Sequence, residues 1–161
     1  MLIAEPGEHG SLLELKKAVE EINVVAAVVQ RSLDTPTKSD SQIQLLTSPM
    51  KHTVADALRN ASFLHLACHG QQHPTDPLAS GFLLRGERLT VLELMQLKLN
   101  RPFLSFLSAC ETAKGDRSQP DQVVHLAATM LFIGFKSVVG TMWYASRSTR
   151  SFGKQSDWIF M

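Results

Sequence analysis

Cysteine is scarce: Cys68 and Cys110 are the two thiols of a 161-residue chain. Two cysteines cannot build the disulfide framework of a small secreted domain, so reduced thiols in a cytoplasmic protein are expected. Long apolar runs are missing too. The longest candidate, Val24–Val29, falls far short of the roughly 20 residues a membrane-spanning helix needs. The start, Met1-Leu2-Ile3-Ala4-Glu5-Pro6, has no basic stretch followed by an apolar one, so no secretory signal is expected. Charge of one sign is not in excess either. Sixteen Lys and Arg face 15 Asp and Glu, for a net charge of +1. That balance speaks against a nucleic-acid binder held by phosphate neutralisation. There is no Gly-x-Ser-x-Gly elbow, and Gly7–Gly10 lacks the Lys-Ser/Thr of a phosphate loop.

What is present is a globular balance, 44% hydrophobic and 19% charged residues, in a chain of single-domain length. Residues 1–10, with Pro6, Gly7 and Gly10, are expected to form a flexible N-terminal segment. The domain proper is expected over 11–143. Leu12, Leu15, Val19, Ile22, Ala26 and Val29 recur at helical steps. A polar loop at 31–41 precedes a short strand at 42–47. Ser48-Pro49 opens a helix over 53–60 with Val54, Ala57 and Leu58 on one face. Ser62–His69 is an apolar run closed by Gly70 and reads as a buried strand of a parallel sheet. After a polar loop at 71–80, residues 81–88 read as a strand and turn. Thr90 with Glu93 forms a capping box for a helix to about Leu99. Phe103–Ser108 and Lys136–Met142 are two further buried strands. Between them lies a helix at 121–133, with Val124, Ala127, Ala128 and Leu131 as its apolar face and Gly134 as its C-cap. Strands alternating with helices define an α/β domain with a mainly parallel sheet. Residues 144–161 have no sustained period, and a poorly ordered tail is expected there.

Ligands of open parallel sheets gather beyond the carboxyl ends of the strands. His69-Gly70 and Cys110 fall at two such ends, and crossover connections tend to make consecutive parallel strands neighbours. A thiol acts as a nucleophile once it is a thiolate, and an adjacent imidazolium supports that charge. Gly70 would allow a tight turn presenting His69 to solvent. The N–H groups of Gly70 and Cys110 could hold a developing oxyanion. A Cys–His hydrolase is therefore one candidate, with burial of both cysteines as ordinary packing the alternative. Cys68 alternates with His69 and is expected in the core with Leu64 and Leu66. A metal site at His65, Cys68, His69 and His73 is a rival. On a strand, however, His65 and His69 lie about 13 Å apart, too far for one zinc ion. His65 is then expected to be a core or interface histidine.

Three stretches resemble the CHAT domain: Leu64-His65-Leu66-Ala67-Cys68-His69-Gly70, Leu107-Ser108-Ala109-Cys110-Glu111-Thr112-Ala113, and His125-Leu126-Ala127-Ala128 followed by residues 134–143 (GFKSVVGTMW). Their flavour is that of fungal members. CHAT domains belong to the caspase and separase group of cysteine peptidases. The resemblance implies a caspase-like three-layer α/β/α fold, with the family's histidine on His69, its cysteine on Cys110 and Gly70 helping to form the oxyanion site. It implies a protein or peptide substrate and a mechanism without a metal or organic cofactor. In longer relatives such domains accompany tetratricopeptide or related repeats; neither nucleic acid nor membrane is an expected partner. Residues 144–161 depart from the family pattern, so the sheet is expected to be incomplete at its C-terminal end. A catalytically inactive interaction or regulatory module, or a fragment truncated at its C-terminus, is the alternative to a working peptidase.

Overall fold

The computed structural model describes residues 1–7, 15, 17–33, 42–71, 73–108, 122–141 and 158–160. A six-stranded sheet has the order β2-β1-β3-β7-β8-β9. Its strands are β1 (Leu2–Ala4), β2 (Leu45–Thr47), β3 (Phe63–Ala67), β7 (Leu104–Leu107), β8 (Ser137–Thr141) and β9 (Trp158–Phe160). The first five in this order run parallel, and β9 pairs antiparallel with β8. Helices α1 (Ala18–Leu33), α2 (Lys51–Leu58), α3 (Val91–Met95) and α4 (Gln122–Phe132) lie between strands in the chain, as parallel pairing requires. The mainly parallel α/β architecture is the one expected, and it is of caspase-like type.

Side chains alternate across a strand, so each strand serves two layers. Leu2, Ala4 and Ala67 face α1 and pack with Ala18 and Ile22. Ile3, Leu64, Leu66, Cys68, Leu107 and Val138 face the other way. There they meet Val54 and Leu58 of α2, Leu94 of α3, and Leu126, Ala127 and Met130 of α4. Each fully buried Leu, Ile or Met contributes about 1.5–3 kcal/mol relative to its exposed state.

Two local expectations are corrected, and a third falls mostly outside the described residues. The segment 1–10 does not begin as a flexible loop: Leu2–Ala4 is an inner strand between β2 and β3, and all three residues are buried. Three apolar residues ahead of Glu5-Pro6-Gly7 are too short a run to signal a strand, and the pairing that makes one comes from distant residues. Of the segment 144–161, expected to be poorly ordered, Trp158–Phe160 forms β9, and the other residues lie outside the described residues. The buried face of α4 includes Leu126 and Met130, whereas Ala128 is exposed. A helix reading LAATMLF is apolar on most sides, so its spacing does not determine which side turns inward.

A second sheet, antiparallel, has the order β4-β5-β6, formed by β4 (His69–Gln71), β5 (Gly81–Leu84) and β6 (Glu87–Thr90). Arg85 and Gly86 join β5 to β6 with φ of 35° and 80°. Two consecutive positive φ values are those of the tight hairpin turn that matches strand twist. The Arg85 N–H donates to Glu5 Oε2 at 2.9 Å, which anchors this turn to the end of β1.

Helix α3 starts as its sequence predicts. The Thr90 hydroxyl accepts from the Glu93 N–H at 3.1 Å, and Glu93 Oε2 accepts from the Thr90 N–H at 2.9 Å. It ends earlier than Leu99, at Met95. Lys51 donates to Glu93 Oε1 at 2.9 Å. Burial alone would raise the Glu93 carboxyl, but hydrogen bonds from Thr90 and Lys51 outweigh it and hold the group below the usual carboxylate range. A carboxyl depressed by folding stabilises above its unfolded value, and the contribution is lost as pH falls through the folded value. The Glu93 side chain is 38% exposed, so solvent screening limits the effect to about 1 kcal/mol. Between about pH 5 and pH 3 the wild-type melting temperature should fall more steeply than that of Glu93→Gln. Equal slopes in thermal melts would contradict this assignment.

Candidate functional site

Three strand ends meet at one edge of the parallel sheet. Register pairs Ala4 with Ala67 and Leu66 with Leu107, so β1, β3 and β7 finish side by side. Backbone bonds continue the alignment past the last paired residues. The Glu5 N–H donates to the Ala67 carbonyl at 2.9 Å, and the Ser108 N–H to the Leu66 carbonyl at 2.9 Å. The consecutive parallel strands β3 and β7 are neighbours, as expected. The strand leading to His69 therefore lies beside the one leading to Cys110. Cys110 itself lies outside the described residues, as do Glu111 and Thr112.

His69 differs from expectation in its setting. The apolar run 62–69 is not one strand: β3 ends at Ala67, the chain leaves the large sheet at Cys68, and His69 opens β4 of the small one. Local hydrophobicity continues across this break, and only the pairing with β5 reveals it. His69 sits opposite Leu83 and Gly70 opposite Phe82. Gly70 therefore lies in an extended strand and forms no tight turn. His69 is not turned toward solvent; it is fully buried. The far end of β4 is gripped from β6, where the Arg88 guanidinium donates to the Gln71 side-chain oxygen and to the Ala79 carbonyl.

Cys68 is a core residue, as expected, fully buried with Leu64 and Leu66. Burial, and secondarily the negative charge of Glu5, pushes its thiol far up. It stays protonated at neutral pH and is a poor nucleophile.

The histidines of the rival metal set have other partners. His65 Nε2 donates to Glu21 Oε1 at 2.7 Å, and its ring stacks on Phe106 with centroids 4.6 Å apart. His73 Nδ1 accepts the Asp76 N–H at 3.1 Å within its own turn. Among the described residues, no group of three or more His, Cys, Asp or Glu could hold a metal ion. None of their helices is long and apolar enough to cross a membrane.

Two carboxylates at this edge were not anticipated from the sequence. Glu5 is 2% exposed and accepts the N–H groups of Gly7 and Arg85 through its two oxygens. Glu21 of α1 accepts from His65 and, through Oε2, from the Ser108 hydroxyl at 3.1 Å. Glu5 sits in a segment that reads as a loop. Glu21 sits on a helix beside Glu20, and a pair of carboxylates on a helix ordinarily means a solvated face. The one available signal was that Glu5 directly follows the apolar triplet Leu2-Ile3-Ala4.

No curated protein matches the chain. The CHAT domain family profile matches residues 2–153, which takes in β1 and runs beyond the 11–143 expected for the domain. With nearly the whole sequence inside that match, and with a mainly parallel sheet flanked by helices beneath it, the chain belongs to the CHAT domain family.

Proposed function

We propose that this chain is a cysteine peptidase domain in which Cys110 is the nucleophile and His69 the general base and acid. The observation that supports this most is the pairing of β3 with β7. The chain reaches His69 two residues after β3 ends and Cys110 three residues after β7 ends. Family membership supports a peptidase-like domain, and the chemistry follows from the residue types. His69 takes the thiol proton, and the thiolate attacks the carbonyl carbon of a peptide bond. The carbonyl electron pair moves onto oxygen, where the Gly70 N–H is the proposed donor. As the tetrahedral intermediate collapses, the C–N bond breaks and His69 returns the proton to the departing amine. Water then hydrolyses the thioester and regenerates the thiol. Among these groups no metal or organic cofactor is called for, the substrate is a protein or peptide, and the cytoplasm is the compartment suited to a free thiol.

The test is covalent labelling by a thiol-directed peptide electrophile. The wild type should label, and Cys110→Ala should not, since Cys68 is sealed in the core. Equal labelling of the two proteins refutes the assignment. One observation favours a second reading, a catalytically inactive interaction module: His69 is fully buried, whereas a general base must meet substrate. A folded protein that neither labels at Cys110 nor cleaves any member of a broad peptide library would support the module.

A further inference from the structure

Glu21 spends its two carboxylate oxygens on two different strands. Oε1 accepts from His65 Nε2 at 2.7 Å, and Oε2 accepts from the Ser108 hydroxyl at 3.1 Å. His65 belongs to β3, four residues before His69. Ser108 directly follows β7, two residues before Cys110. His65 is opposite Phe106 in the register, and their rings are stacked with an interplanar angle of 25°. Odd-numbered residues of β3 and even-numbered residues of β7 thus share the face that α1 covers. From that face one carboxylate reaches both strands near their carboxyl ends.

We propose that Glu21 is a positioning residue that sets the spacing between the two strand ends delivering His69 and Cys110. The proposal rests on the Cys110–His69 reading and extends it to α1, which carries neither residue. The geometry suits the task. The His65 side chain is 9% exposed and that of Glu21 29%, so the bond between them is largely withdrawn from water and geometrically restrictive. The Ser108 hydroxyl is the last side-chain tether in the described chain before Cys110. A carboxylate with two acceptor oxygens serves both donors at once, which a hydroxyl side chain of shorter reach would not. A displacement of about 1 Å between reacting groups costs on the order of 10²-fold in rate, so a small shift in strand spacing is enough to be seen.

The experiment compares wild type, Glu21→Ala, Glu21→Gln and Ser108→Ala. The second-order rate of Cys110 labelling by a peptide fluoromethyl ketone is measured across pH, with thermal melts alongside. Glu21→Ala should slow labelling by on the order of 10²-fold. Its pH profile should also shift toward that of a free thiol, near about pH 8.5, because the imidazolium no longer supports the thiolate. Glu21→Gln should retain most of the rate, since its amide oxygen accepts from Ser108 and its N–H can donate to the His65 ring. Ser108→Ala removes the β7 tether alone and should show a smaller slowing in the same direction, which keeps the test open if Glu21→Ala fails to fold. A purely structural Glu21 would lower the melting temperature and leave the rate and pH profile of the folded protein unchanged; that result overturns the proposal. Absence of Cys110 labelling in the wild type overturns the dyad, and the positioning role with it. Normal wild-type labelling with unaltered Glu21→Ala and Ser108→Ala overturns the positioning role alone.

Discussion

His69→Gln should lower kcat/KM for peptide hydrolysis by about 10²–10⁴-fold, the contribution of a well-placed general acid–base. Glutamine is close to histidine in size and polar at its tip, but it cannot take the thiol proton. It should leave β4 in place, because that strand is held by its pairing with β5 and by Arg88 on Gln71. The loss should therefore appear in kcat with the melting temperature nearly preserved. Without an imidazolium, the rise of Cys110 labelling with pH should move toward about pH 8.5. Wild-type labelling kinetics in His69→Gln would mean that the imidazole and the thiol do not act together, whatever the spacing of the strands that lead to them.

The parts of this fold that could be read locally are those whose cause is local. Residues 103–108 and 136–142 announce strands because each is a short, largely apolar run bounded by Pro102 or Gly134; Ser105, Leu107 and Val138 are buried, while the other face of β7 is half-buried. Thr90 and Glu93 announce a helix start because a capping box is completed within three residues. Elements created by distant partners left no such mark. Strand β1 is three residues long and exists through Leu45–Thr47 on one side and His65–Ala67 on the other. The change of sheet between Ala67 and His69 depends on β5, more than ten residues downstream. The candidate site divides the same way. His69 and Gly70 stood out because they close an apolar run, and Cys110 because it follows another. Glu5 and Glu21 did not, since a carboxylate that accepts two hydrogen bonds at a strand edge has the same letter as one facing water.

Gly81→Ala should be the most destabilising single-methyl change in the small sheet, and its effect should reach the candidate site. A Cβ at Gly81 would lie 2.1 Å from the Leu89 carbonyl oxygen, 2.8 Å from the Leu89 carbonyl carbon and 2.8 Å from Thr90 Cα. All three are backbone atoms of β6, so no side chain can rotate away and the strands must separate. Separation breaks the register of Gly81 with Thr90 and Phe82 with Leu89, and it loosens Phe82, Leu84 and Leu89, which belong to the main core. Overpacking of this kind costs about 1–3 kcal/mol, and the clash falls at the upper end. For a domain of this length each kcal/mol is worth about 2–4 °C, so a fall of roughly 6–12 °C is expected. Gly86→Ala is the matched control. Its Cβ would meet nothing within 4 Å, leaving only the left-handed φ of 80°, a cost of about 1–2 kcal/mol. Since β5 also pairs with β4, opposite Gln71, Gly70 and His69, a displaced β5 should slow Cys110 labelling in Gly81→Ala even at temperatures where the protein remains folded, whereas Gly86→Ala should label at the wild-type rate. Thermal melts in which Gly81→Ala is no worse than Gly86→Ala would show that β5 and β6 do not pack this closely. The route from the hairpin to His69 would then have to be abandoned.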